Sequence, residues 1–127
     1  MANKDKHKTY DLEDRTLNFG KKIINMVNNL AHSQVNYNLI NQVMRSGGSI
    51  GANYREANET ITSKDFKFRI RICKKEAKET VYWLDLIAEN NKFKSSEIKL
   101  LAQEADEFVR IFAAILKNSK CNQRFSA

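Results

Sequence analysis

The sequence contains no proline, only four glycines, two cysteines and two histidines. Because proline and glycine mark turns, their scarcity argues against a loop-rich β-sandwich and against a proline-punctuated α/β fold. Cys73 and Cys121 lie far apart and form no C-x-x-C pair. Neither a zinc site nor a disulfide framework is therefore indicated. We expect Cys73, which falls on an apolar helical face, to be a small buried core residue.

Long apolar segments are also missing. The longest apolar run extends from Ile111 to Leu116 and is too short to cross a bilayer. The N-terminus carries charges with no apolar stretch behind them, so it does not resemble a secretory signal. We therefore expect no membrane association and a cytoplasmic protein.

Constellations that would indicate catalysis are absent from the sequence. His7 and His32 have no neighbouring serine, cysteine or carboxylate arrangement of the kind that a catalytic triad uses. The glycines between Gly47 and Gly51 lack the G-x-G-x-x-G order of a dinucleotide-binding turn. No Glu-x-x-His motif of a di-iron bundle is present. We expect no enzyme activity, no cofactor and no metal.

The sequence does contain four segments with helical periodicity. The 127 residues are 42% hydrophobic, which suits one domain with a buried core, and they carry a net charge of +7. Apolar residues recur every three to four positions in segments at about 11–30, 35–58, 62–89 and 95–117, followed by a basic tail at 118–127. Asp11, Thr62 and Ser95 or Ser96 suit helix N-termini. The prediction is a single all-α domain over 1–127, an antiparallel up-down-up-down four-helix bundle.

The second segment contains Gly47, Gly48 and Gly51, and glycine inside a helix costs about 1 kcal/mol relative to alanine. A break in the helix is therefore one possibility. The polar residues on either side of the glycines keep helical spacing, which a loop would have no reason to preserve. We predict one continuous helix, in which the glycines permit close approach of another helix.

The same segment carries a polar stripe at helical spacing. Its members are Ser46, Ser49, Asn53 and Glu56. One interpretation is a buried hydrogen-bond network with Arg69, Glu76 or Glu79 of the third helix, and the other is a ligand site facing a groove. We favour the structural network.

The third segment carries a basic stripe that covers about 100° of the helix surface over four turns. Its members are Lys64, Lys67, Arg71, Lys74, Lys75 and Lys78. A basic stripe of this kind suits the phosphates of RNA or DNA. The alternative is a solvated face of a lysine-rich protein, in which Lys75 pairs with Glu79.

A second apolar stripe on the third segment lies away from the core positions. It consists of Phe68, Ile72, Trp83 and Leu86, with Tyr82 at its edge. Because a helix of a monomeric bundle needs one apolar face, the surplus stripe indicates a subunit interface or a partner groove. The alternative is a wide core that wraps this helix. We favour the interface.

The stretch from Arg45 to Ala57 resembles the signature "R-S-x-x-S-I-x-x-N-x-x-E" of four-helix bundle proteins encoded in intervening sequences of bacterial 23S ribosomal RNA genes. The matching residues are Arg45, Ser46, Ser49, Ile50, Asn53 and Glu56. The segment Ser63 to Phe66 resembles the start of the next helix in that family. The sequence departs from the family pattern at Ala57, in place of a glycine, and at Lys75 and Glu76, in place of a small pair.

The resemblance implies an antiparallel four-helix bundle that assembles as a five-membered ring. Related bundles accompany the reverse transcriptases of diversity-generating retroelements and bind RNA and the transcriptase through a basic surface. The resemblance implies no enzymatic activity, and it carries the motif residues over as a structural signature. Together with the basic stripe, it leads us to expect a non-enzymatic homo-oligomer, a pentamer, that binds RNA or DNA. The alternative is a protein–protein scaffold whose basic charge only aids solubility.

Overall fold

The computed structural model describes residues 4–118, with side chains from Leu12 onward. The four helices are α1 (Lys4–Asn28), α2 (Gln34–Asn58), α3 (Ser63–Asn90) and α4 (Ser95–Asn118), with a short 3-10 turn at Lys92–Lys94 before α4. The connections between them are short, so successive helices run antiparallel, up-down-up-down. The predicted all-α four-helix bundle is therefore confirmed.

Helix α2 is continuous through its glycines, as the polar spacing predicted. No glycine in the described residues has a positive φ, so none of them serves as a turn. At Gly51 an added Cβ would lie 2.9 Å from Oγ1 and 3.2 Å from Cβ of Thr16 on α1. The missing side chain of Gly51 is thus what lets α1 approach α2.

The largest difference from the predicted helix ends is at the start of α1. Helix α1 begins at Lys4, so Asp11 lies within the helix and is not its N-cap. Neither proline nor glycine occurs between Lys4 and Asp11, so nothing in this segment prevents the helix from extending back to Lys4. The N-caps of α2 and α3 are Ser33 and Thr62, whose hydroxyl oxygens accept hydrogen bonds from the amides of Asn36 and Asp65. The predicted tail residues after Asn118 lie outside the described residues.

The core consists of the apolar faces of all four helices. Its largest fully buried side chains include Phe19 of α1, Ile50 of α2, Leu84 of α3 and Phe108 of α4. The rings of Phe19 and Phe108 meet edge to face, with centroids 5.4 Å apart. Full burial of such side chains contributes about 1.5–3 kcal/mol each, so the core is the main source of stability.

Helix α1 is tied to α4 by charge. Arg15 forms ion pairs with Glu104 and Glu107 and places its guanidinium 4.8 Å from the ring centroid of Phe108. Lys22 pairs with the same Glu104 at 3.1 Å. Burial alone would lower the pKa of Arg15, but its hydrogen bonds to Glu107 and Glu104 outweigh burial and raise that pKa. Arg15 is therefore a permanent cation at this junction.

An amide cluster joins the start of α2 to the end of α3. Asn36 is buried, and it exchanges two hydrogen bonds with the side-chain amide of Asn91, at 2.9 and 2.8 Å. Asn90 donates a third bond to Asn36, and Asn36 donates another to the carbonyl of Ala31. The cluster satisfies a buried amide completely and fixes the α1–α2 connection against the end of α3.

Candidate nucleic-acid interface

The basic stripe lies on the face of α3 that is turned away from the core. Lys64, Arg71, Lys75 and Lys78 are exposed, and Lys67 and Lys74 are half-buried. From Lys64 to Lys78 the stripe extends about 21 Å along the helix axis, at about 1.5 Å per residue. Helix α3 is uninterrupted over its whole length, so it presents these cations on one side over four turns.

The middle of the stripe forms an open groove of about 510 Å³. The groove is lined by cations from two turns of α3, by one carboxylate and by an apolar side chain from the end of α4. These residues are Arg71, Lys74, Lys75, Lys78, Glu79 and Leu116. Since α4 supplies the apolar wall, the groove depends on the packing of α3 against α4.

Helix α2 adds a further cation at the edge of the groove. The guanidinium of Arg45 lies 3.8 Å from the carboxylate of Glu79, which is 4.0 Å from the ammonium of Lys75. Ion pairs this exposed contribute about 0–1 kcal/mol, so Lys75 and Arg45 remain available to an anion in solution. Sequence reasoning missed Arg45 as a charged surface residue, because the helical wheel of one helix does not show what the next helix brings beside it.

The motif residues of α2 face α3 through hydrogen bonds. The hydroxyl groups of Ser46 and Thr80 are 2.9 Å apart, and both residues are buried. The carbonyl oxygen of the Asn53 side chain accepts a bond of 3.0 Å from Arg69. The structural network, with Arg69 as a partner, is therefore what the geometry supports. Thr80 was not foreseen as a partner, since it falls within the apolar stripe of α3.

The other motif residues have separate roles. Ser49 donates to the carbonyl of Arg45 within α2, at 2.7 Å, and Ile50 is fully buried in the core. Glu56 is exposed. Glu76, one of the expected network partners, is buried, and its Oε1 has no hydrogen-bond partner. The motif thus sets how α2 packs and does not form a pocket of its own.

The surplus apolar stripe of α3 divides into buried and exposed members. Trp83 packs against the core, as the wide-core interpretation expects, and Ile72 is half-buried. Phe68 is 57% exposed and Leu86 is 38% exposed. Tyr82 is 58% exposed, and its ring stands edge-on to that of Trp83, with centroids 5.0 Å apart. The exposed members take little part in the core.

Chemically reactive groups are scarce in the described part of the chain. Cys73 is fully buried, and burial raises the pKa of its thiol to about 12, so the nucleophilic thiolate does not form at neutral pH. His32 is exposed in the α1–α2 connection, and the side chain of His7 lies outside the described residues. Among residues 12–118, no three histidine, cysteine or acidic side chains are grouped as metal ligands would be. None of the helices described here has both the length and the apolar character of a membrane span.

Comparison with known proteins agrees with this architecture. Residues 8–114 match the family model of the 23S rRNA-intervening sequence protein. The chain is also similar to a crystal structure of a protein of unknown function from the S23 ribosomal protein family of Bacteroides thetaiotaomicron. That structure shares 32% sequence identity with a TM-score of 0.77, and the match covers 87% of this chain and 98% of the other. No curated protein sequence matches the chain significantly.

Proposed function

The chain belongs to the 23S rRNA-intervening sequence protein family, and from this premise we propose that it is a non-enzymatic, oligomeric bundle that binds RNA. The observation that carries the proposal is the groove, in which Arg71, Lys74, Lys75 and Lys78 surround one open volume. Such a row of cations binds the phosphate backbone and releases condensed counterions, without reading base identity. We propose that the protein acts in the cytoplasm.

The scattered placement of the other charges favours this assignment. Elsewhere, several basic residues of the described chain are paired with carboxylates, as Arg15 and Lys22 are with Glu104 and Arg110 is with Asp106. In the groove on α3, four cations stand beside one carboxylate, that of Glu79. A local excess of positive charge attracts a polyanion more strongly than the same net charge spread evenly.

The test is a charge reversal in the groove. We expect Arg71→Glu with Lys75→Glu to weaken RNA binding more than tenfold at low salt and to flatten the salt dependence of the binding constant. Because Lys75 also pairs with Glu79, Arg71→Glu is measured alone as well. The matched control is Lys21→Glu with Lys99→Glu, which changes the net charge equally on the exposed faces of α1 and α4.

The control separates a local site from general charge. If both double variants weaken binding equally, net charge alone attracts the RNA. If the folded groove variant keeps the affinity and salt slope of the wild type, the stripe is a solvated face. The protein–protein scaffold then becomes the better function, and the exposed side chains of Phe68 and Leu86 favour that candidate.

We also propose that the protein is a homo-oligomer, a pentamer by resemblance to its family. The apolar side chains left at the surface of α3, among them Leu86 and Ile72, support self-association. Light scattering at micromolar concentration should give a multiple of the monomer mass. Ile72→Glu should dissociate the assembly, because an unpaired carboxylate in an apolar interface is strongly unfavourable. A monomeric mass for the wild type would refute the proposal.

A further inference from the structure

The exposed aromatic residues of α3 lie at the two ends of the basic groove. Phe68 is one helical turn before Arg71 and Ile72, and Tyr82 is one turn after Lys78. Residues three to four positions apart are neighbours on a helix surface, so each ring lies beside cations of the stripe. The two rings are about 21 Å apart along the helix axis, at about 1.5 Å per residue.

The folded state does not require either ring to be exposed. Phe66, two positions before Phe68, already supplies the core contact of this turn and is buried. Phe68 and Tyr82 leave more than half of their surfaces in water, at 57% and 58% exposed. Two exposed rings beside a row of cations together suit a partner that has both an apolar face and negative charge.

From this arrangement we infer that the outer face of α3 binds single-stranded RNA, with Phe68 and Tyr82 stacking on unpaired bases at either end of the phosphate-binding groove. The inference rests on the proposed RNA-binding function and specifies its substrate. A duplex hides its base faces in its own stack, so rings on a convex helix surface reach base faces only in an unpaired strand. Aromatic rings combined with a positive groove are the usual components of single-strand binding sites.

The dimensions and the rigidity of the surface fit this substrate. The distance between the rings corresponds to about six stacked nucleotides at ~3.4 Å each. Tyr82 is held edge-on against Trp83, which packs on the core, so little side-chain freedom is lost when a base stacks on it. Leu116 offers an apolar wall beside the cations, where a ribose or a base edge packs.

The experiment compares binding of a short oligouridylate with binding of an RNA duplex of the same length, at low and physiological salt. Phe68→Ala and Tyr82→Ala should each weaken single-strand binding on the order of 5- to 100-fold. They should leave the salt slope and duplex binding unchanged, because stacking releases no counterions. Tyr82→Phe should keep wild-type affinity, since it keeps the ring, whereas Phe68→Leu should lose affinity as Phe68→Ala does.

Two control variants remove exposed apolar side chains elsewhere. Tyr37→Ala on α2 and Leu100→Ala on α4 each remove a residue that is 65% exposed, and both should bind as the wild type does. Trp83, the single tryptophan of the chain, provides an independent readout. Its fluorescence should change when the single strand binds, because the ring of Tyr82 beside it takes up the base, and should not change with duplex.

The outcomes separate this inference from the proposed function. If the aromatic variants bind as the wild type does while Arg71→Glu with Lys75→Glu still weakens binding, stacking is overturned and RNA binding stands. If the groove variant has no effect on either RNA, the proposed function itself fails. If Phe68→Ala or Phe68→Leu changes the oligomeric mass, Phe68 is a subunit contact and its assignment to RNA is overturned.

Discussion

Phe66 and Phe68 are two positions apart on α3 and have opposite environments. Phe66 is 5% exposed and lies in the core, whereas Phe68 is 57% exposed beside the basic stripe. The residue type is identical. The two side chains differ in direction, because two positions along an α-helix correspond to a rotation of about 200° around its axis. The comparison shows that the register of α3 decides which aromatic residue is buried in the core and which one is exposed to solvent.

The two faces of α3 differ in composition for the same reason. The inner face carries fully buried residues such as Ile70 and Leu84, and the buried hydroxyl of Thr80 is hydrogen-bonded to Ser46 and to the carbonyl of Glu76. The groove on the outer face is lined by four cations and one carboxylate. Stability therefore depends on the inner face, and any binding activity depends on the outer face.

The largest expected contrast is between alanine substitutions of these two phenylalanines. Phe66→Ala should lower the free energy of unfolding by about 3–5 kcal/mol, because it removes a buried ring and leaves a cavity. Phe68→Ala should change it by less than about 1 kcal/mol, since its ring is mostly in water. Chemical denaturation monitored by far-UV circular dichroism measures both. Equal losses of stability would show that Phe68 also contributes to the core.

A second contrast, on α2, tests how closely the inner surface is packed. Gly51→Ala should destabilise the protein by about 1–3 kcal/mol, because the new methyl group would overlap Thr16. Gly48→Ala should stabilise it by about 0.5–1 kcal/mol, because nothing lies within 4 Å of the new methyl group and alanine favours the helix. Thermal denaturation of the two variants and the wild type measures both changes in stability. A gain in stability for Gly51→Ala would mean that α1 does not lie this close to α2.

The smallest expected effect is the pH dependence that Cys73, on the inner face of α3, gives to the free energy of unfolding. Burial raises the pKa of Cys73 from 9.0 to about 12, so the folded state keeps this proton at pH values where the unfolded chain releases it. The contribution of the protonated thiol to the free energy of unfolding is complete below pH 9 and is lost as the pH rises toward 12. Near pH 9.5 the loss should be about 1 kcal/mol relative to neutral pH.

The matched variant for this measurement is Cys73→Ala, which lacks the thiol but keeps every other titrating group. The free energy of unfolding should fall less steeply between pH 8 and pH 9.5 in Cys73→Ala than in the wild type, by about 1 kcal/mol over this interval. Parallel pH profiles for the two proteins would contradict a buried, protonated thiol. The outer face provides no corresponding thiol in the described chain.

Local sequence information predicts most of this fold. Apolar spacing identified all four helices, and the polar residues around Gly47 and Gly48 indicated a continuous α2, which the structure confirms. The predicted start of α1 was wrong. Asp11 suits an N-cap, but no helix-breaking residue precedes it, and the helix begins at Lys4. Ser33 was not recognised as the N-cap of α2, because its role shows only in the bond from the Asn36 amide.

The surface was less predictable, because it depends on how neighbouring helices are rotated. A helical wheel of α3 places the basic residues on one side, but it does not show that Leu116 of α4 and Arg45 of α2 lie beside them. The same wheel placed Trp83 outside the core, whereas the packing of α3 brings that ring against the core. Contacts between helices depend on how all four helices pack, so the residue spacing of one helix does not predict them.

The amide cluster of Asn36, Asn90 and Asn91 has a consequence for the order of folding events. Helices α2 and α3 form a hairpin around the turn at 59–62, and the cluster lies at the open end, farthest from that turn. If closure proceeds from the turn, these amides meet only after the two helices have come together along their length. The hydrogen bonds of the cluster then form after the transition state for closure. They slow the opening of the hairpin and leave its rate of closure almost unchanged.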